Sequence, residues 1–175
     1  VHYVSANRRG PGKFEDKKER PDYYSVGTEG ASTINTMASY PDKVDSRMNV
    51  KHSDENEWPL EKAITSWIDF IMGGGSVSVQ GKNALGDIKN QKKSSVLSLG
   101  FNMQNAGERL FNSYNVGFGY SYILPIVVSA LIAKEGSIVI VENPEAHLHP
   151  EAQVRLTYLL AQLAARGVQV FIETH

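Results

Sequence analysis

Ser137-Ile138-Val139-Ile140-Val141-Glu142-Asn143-Pro144-Glu145-Ala146-His147-Leu148-His149-Pro150 is the stretch on which the reading of this chain turns. Ser137 to Val141 places four aliphatic residues in a row, the pattern of a strand buried on both faces, and it delivers a carboxylate, Glu142, at its C-terminal end. The next residues lead into a helix over Glu151 to Ala165, whose Leu156, Leu159, Leu160 and Leu163 make one apolar face. Gly167 supplies a left-handed stop, and Val168 to Glu173 repeats the apolar strand pattern. Two continuous apolar strands joined by a helix indicate a parallel sheet covered by helices, so the C-terminal half is α/β.

Working upstream, an apolar helix is expected over about Ser121 to Ala133, preceded by the glycine-punctuated Asn115-Val116-Gly117-Phe118-Gly119-Tyr120-Ser121. Leu60, Ala63, Ile64, Trp67, Ile68 and Ile71 recur at helical spacing, with Pro59 suited to the first turn and Gly73-Gly74-Gly75 ending the helix. Val77 to Val79 and Val96 to Leu99 alternate like half-buried strands, with Gly81 to Ser95 as a solvated connection. Three regions follow: a polar, irregular segment over 1–56, a helix with short strands over 57–111, and the α/β part over 112–175. The first shows no sustained periodicity, although Tyr23 to Gly27 reads as a short strand. No internal repeat is visible.

Composition narrows the classes. The 175 residues, 41% of them hydrophobic, suffice for one domain of ordinary size. With 18 basic against 19 acidic residues, bulk charge gives no argument for nucleic acid. Cysteine is absent, which excludes disulfides and thiolate metal sites and fits a cytoplasmic protein. No apolar run approaches the roughly 20 residues that span a bilayer, so no membrane partner is expected. Val1 opens the chain without an initiator Met, which reads as a piece of a longer protein.

A carboxylate at the C-terminal end of a buried parallel strand stands where open α/β sheets bind ligands, and it can hold Mg²⁺ opposite nucleotide phosphates. A solvated strand end is the plainer reading of a lone acid. His147 and His149, with Glu142 or His175, could instead supply three metal ligands. A Gly-x-Gly pair such as Gly117 and Gly119 is more often a turn than a phosphate cradle. Arg8 and Arg9 could meet phosphate or nucleic acid, but a two-residue basic cluster reads as surface charge.

Taken together, Val141 to Pro150 resembles the Walker B and D-loop of ABC-type, AAA-family ATPases in the RecF/SMC and overcoming-lysogenisation-defect (OLD) group. The resemblance implies a partial P-loop NTPase core, ABC-ATPase-like, with a parallel sheet flanked by helices and an irregular N-terminal region. It assigns Glu142 to the metal acid and sets Asn143 where the family carries the acid that polarises water. An amide cannot act as a base at neutral pH. Glu145 then lines the nucleotide site or caps the next helix, and His149 belongs to the D-loop beside the nucleotide. Gly117, Gly119 and Ser121 resemble the signature loop that contacts the γ-phosphate of ATP held by a second copy. His175 matches the switch histidine. The implied cofactors are ATP and Mg²⁺, and the implied assembly is a nucleotide-sandwich homodimer. DNA repair or bacterial defence against phage enters by family analogy, with DNA as a possible partner. The P-loop pattern Gly-x-x-x-x-Gly-Lys-[Ser/Thr] occurs nowhere. Gln80-Gly81-Lys82-Asn83 is its nearest imitation and reads as a loop. The chain alone is therefore expected to be inactive, the intact protein being an ATPase. Two alternatives stay open: a non-catalytic, ATP-gated interaction module, and a histidine-based metal hydrolase.

Overall fold

The computed structural model describes residues 1–10, 15–16, 23–48, 50, 57–81, 96–103 and 109–174. In chain order its elements are β1 (His2–Val4), β2 (Glu15–Asp16), α1 (Thr33–Ser39), β3 (Lys43–Asp45), a single 3₁₀ turn (Ser46–Met48), β4 (Glu57–Pro59), α2 (Leu60–Met72), β5 (Ser76–Gly81), β6 (Val96–Asn102), β7 (Phe111–Asn112), α3 (Phe118–Ile132), β8 (Ile138–Glu142), α4 (Pro150–Ala165) and β9 (Gln169–Glu173). The fold is α/β, with the parallel sheet the sequence implies.

The aliphatic run forms β8, the middle strand of a parallel sheet ordered β1-β8-β9. Val139 pairs with His2 on one side and Val170 on the other, and Val141 with Val4 and Ile172. Val139 and Val141 are fully buried on the face that α3 and α4 cover. The opposite face presents Tyr3, Ile140 and Phe171, also in register. A second sheet pairs β6 antiparallel with β2, β5 and β7, and β3 pairs with β4.

α2 buries the six residues of its apolar stripe, and Gly73 ends it in the left-handed region at φ 73°. Pro59 stands at its N-cap, one residue before the first turn. α4 buries Leu156, Leu159, Leu160 and Leu163. α3 is apolar nearly all round and is buried nearly all round, as a helix inside a core must be. It begins at Phe118 rather than near Ser121. α2 packs against both α3 and α4, and their buried side chains join one hydrophobic cluster. Among the described residues no helix is long and apolar enough to cross a membrane.

Within the first 56 residues, the described ones are largely without regular structure but not wholly so. They contribute β1 to the main sheet, and Val26, Ile34, Met37, Val44 and Met48 to the core. No strand forms at Tyr23 to Gly27; Val26 is buried there inside a turn-rich stretch. Three-residue strands carry no readable period, so their pairing partner decides them. Most of the Gly81 to Ser95 connection lies outside the described residues. Of the four-residue P-loop imitation, Gln80 and Gly81 end β5, and Lys82 and Asn83 lie outside them.

Candidate functional site

The site lies at the C-terminal edge of the parallel sheet, where the chain leaves β1, β8 and β9 side by side. Glu142, the last residue of β8, is held by two donors from the β1 arm. Its Oε1 accepts from the Tyr3 hydroxyl at 2.5 Å and its Oε2 from the Ala6 N–H at 2.8 Å. The Tyr3 hydrogen bond first, then the Ala6 N–H and the nearby Arg8 charge, keep the carboxyl below its ordinary range. It is therefore ionised at neutral pH and aimed outward from the strand end. A Mg²⁺ ion is commonly bound by one or two carboxylates, substrate phosphates and water, and an ionised carboxylate presented at a sheet edge fits that requirement.

Beyond Glu142 the backbone turns sharply. Asn143 sits in the left-handed region at φ 43°, and its N–H donates to the Glu173 carbonyl of β9 at 2.8 Å. Its Oδ1 is buried with no hydrogen-bond partner. His147 is also left-handed, at φ 61°. Asn and His are among the residues that tolerate this region best. N–H groups of Ala146 and Leu148 donate to the carbonyls of Asn143 and Glu145, at 3.1 Å each, closing the turn.

Arg8 corrects the surface-charge reading: it is 3% exposed. Its Nη1 donates to the Glu142 carbonyl at 2.6 Å and to the Ser5 carbonyl at 2.9 Å, and its Nη2 to the Asn143 carbonyl at 2.7 Å. The guanidinium lies 5.1 Å from the centre of the Tyr122 ring. Arg9 does stay at the surface, paired with Glu29 at 3.3 Å. The sequence reading assigned Tyr3 no role in this site, and it weighed Arg8 for phosphate or nucleic acid, whereas Arg8 binds three backbone carbonyls instead.

His149, rather than Glu145, caps α4, its Nδ1 accepting from the Glu151 N–H at 3.4 Å, and Pro150 opens the helix. His147 packs its ring edge-on to Tyr122 at 4.6 Å and beside Phe118 at 5.6 Å. Among the described residues no group of three His, Cys, Asp or Glu converges to hold a metal ion, so the three-ligand histidine arrangement does not form from Glu142, His147 and His149. His175 lies outside the described residues.

Of the glycine-rich residues, Gly117 is the N-cap of α3 and is exposed, with open space where a side chain would stand. Phe118 beside it is exposed as well. Gly119 instead faces inward: a Cβ there would meet the His147 carbonyl oxygen at 2.9 Å. That close approach lets α3 and the loop after β8 touch. Ser121 is buried, and its hydroxyl has no hydrogen-bond partner. It lines a cavity of about 110 Å³ with Arg9, Glu15, Thr33 and Pro125. The outward surface of this helix start is thus Gly117 and Phe118.

A family model described as "AAA domain, putative AbiEii toxin, Type IV TA system" matches residues 11–175. Comparison with curated proteins gives no match.

Proposed function

The chain belongs to this AAA-domain family, and on that premise we propose that it carries the metal-acid side of an ATP- and Mg²⁺-dependent ATPase site of the RecF/SMC and OLD-like kind. The observation that carries the proposal is Glu142, an ionised carboxylate at the C-terminal end of the middle parallel strand, held by Tyr3 and Ala6. Mg²⁺ at such an acid would draw charge from the β- and γ-phosphates of ATP as it develops. Glu145 and Asn143 would stand near the attacking water, and an amide at 143 could orient that water without taking its proton. Gly117 presents the start of α3 to the γ-phosphate of ATP on a second copy, with Gly119 and Ser121 behind it shaping the helix start. His149 fixes the D-loop through the α4 cap, and His175 reads the γ-phosphate.

No P-loop pattern occurs in the sequence, so the backbone cradle and lysine that grip phosphates must come from another lobe. Support for its seat comes from the sheet itself. Among the described residues β9 pairs on one side only, and its Phe171 is 55% exposed. DNA as a partner, and a role in repair or defence, rest on family analogy alone.

The test is ATP binding and phosphate release by the full-length natural protein beside its Glu142→Gln variant. The expected result is turnover that depends on Mg²⁺ and drops at least about a hundredfold in the variant, the scale of a lost charge-stabilising group. Equal turnover in both would refute the assignment. Asn143 favours a second reading, an ATP-gated interaction protein, because an amide cannot accept the proton of water. That reading requires ATP-driven dimerisation with phosphate release no faster than in the Glu142→Gln variant.

A further inference from the structure

We infer that Arg8 is a positioning residue, whose buried guanidinium fixes the Glu142–Asn143 turn and ties it to the outward end of α3 through Tyr122. The inference rests on the reading of Glu142 as the metal acid.

Three carbonyls converge on this one side chain, from Ser5 after β1 and from Glu142 and Asn143 where the chain leaves β8. Two of them belong to successive residues, one on each side of the bend that starts at left-handed Asn143. A planar fork with fixed donor angles defines the positions of both carbonyls, which a single ammonium on a flexible stem cannot do. Ala6, in the same arm, donates to the Glu142 carboxylate. The side chain and the backbone of Glu142 are therefore both referred to residues 5–8.

The other face of the guanidinium reaches α3. Tyr122 stacks over it at 5.1 Å, and the same ring meets His147 at 4.6 Å and Phe118 at 6.2 Å. Phe118 stands exposed next to Gly117. A ligand or second copy that moves the α3 start therefore presses on Tyr122, and through it on the group that sets Glu142.

The experiment compares Arg8→Lys, Tyr122→Leu and Arg47→Lys in the full-length natural protein by steady-state ATPase kinetics, with ATP and Mg²⁺ varied separately. Arg47 is an exposed arginine paired with Asp45, away from the site. Arg8→Lys is expected to lower kcat about thirtyfold, with KM for ATP within about twofold, because a small misplacement of a reacting group costs turnover rather than binding. The Mg²⁺ concentration for half-maximal rate is expected to rise several-fold, a change that loss of stability alone would not give. Arg47→Lys should match wild type. Wild-type kcat and Mg²⁺ dependence in Arg8→Lys would overturn the inference while leaving Glu142→Gln to decide the metal-acid reading separately. If Arg8→Lys does not fold, Tyr122→Leu decides: reduced kcat at an unchanged melting temperature supports the coupling, and unchanged kcat overturns it. Should the wild type bind ATP without turnover, the Mg²⁺ dependence of ATP binding is the readout, and an unshifted curve in Arg8→Lys overturns the inference.

Discussion

Acid should loosen β1 through a single side chain. His2 lies on the covered face of the sheet, 4% exposed, opposite Val139. Its Nε2 is 3.2 Å from the Tyr23 hydroxyl, and its Nδ1 is buried with no hydrogen-bond partner. Burial pushes its pKa down from 6.5 to about 4. The folded-state value is the lower one, so the unfolded chain takes up the proton first. The stability that neutral His2 contributes is complete above 6.5 and is lost as pH falls from there to about 4. At about 1.4 kcal/mol per pH unit, that window sets a ceiling of about 3 kcal/mol. Nearly 2 kcal/mol of it should be gone by about pH 5. Urea unfolding of the wild type and of His2→Phe, at pH values spaced between about 7 and about 5, measures this directly. The wild type should lose about 2 kcal/mol over that range, and the variant less than about 0.5. Parallel pH dependence in the two proteins would refute the reasoning, since the proton would then be binding elsewhere.

Other substitutions probe the site more locally. Tyr3→Phe removes the larger of the two holds on Glu142, so the carboxylate should protonate at higher pH; a ¹³C NMR titration with an unmoved midpoint would show that the phenol is not what holds it. Gly119→Ala sets a methyl 2.9 Å from the His147 carbonyl oxygen. Overpacking of about 1–3 kcal/mol outweighs a helix-propensity gain of up to about 1, so urea unfolding should show a net loss near 1 kcal/mol, and a gain in stability would contradict the close approach. Asn143→Asp keeps a residue that tolerates the left-handed turn, but its buried Oδ1 has no hydrogen-bond partner, so a carboxylate there should cost about 1–3 kcal/mol, read by urea unfolding. It also restores a base, so phosphate release by the full-length natural protein should rise at least about tenfold; no rise would show that the amide does not limit hydrolysis.

What could be read from the sequence was what has a period or a run. The α2 stripe, the β8 aliphatics and the leucines of α4 stand where spacing sets them, because each element is long enough for one buried face to repeat. Glu142 was legible because it ends such a run. The groups that hold it were not, since Tyr3, Ala6 and Arg8 lie more than 130 positions away and meet it only when β1 pairs with β8. Arg8 stands in a polar stretch, Asn7-Arg8-Arg9-Gly10, and its burial depends on carbonyls that local sequence cannot reveal. The apolar run puts the helix start near Ser121, and the signature-loop resemblance sets that residue against a γ-phosphate. α3 begins three residues earlier, at Phe118, and that shift places Ser121 a turn inside, on the buried side.

The uncovered sheet face links the two halves of the proposed site. Parallel sheets occur with both faces covered, yet Tyr3, Ile140 and Phe171 lie side by side on a face that none of the described helices covers. Tyr3 belongs to that face and also holds Glu142. If the P-loop lobe proposed above seats there, it restrains the Tyr3 ring and so the carboxylate, making lobe docking and preparation of the metal acid one event. Phe171→Ser separates the two parts of the argument, because the ring is 55% exposed and is neither of the two groups that donate to Glu142. In the full-length natural protein it should weaken lobe packing and raise the Mg²⁺ requirement for turnover several-fold, while the Glu142 hydrogen bonds stay intact. An unchanged Mg²⁺ requirement would mean that the open face is not where the lobe seats, and the P-loop would have to reach Glu142 from a sheet edge, at β1 or β9.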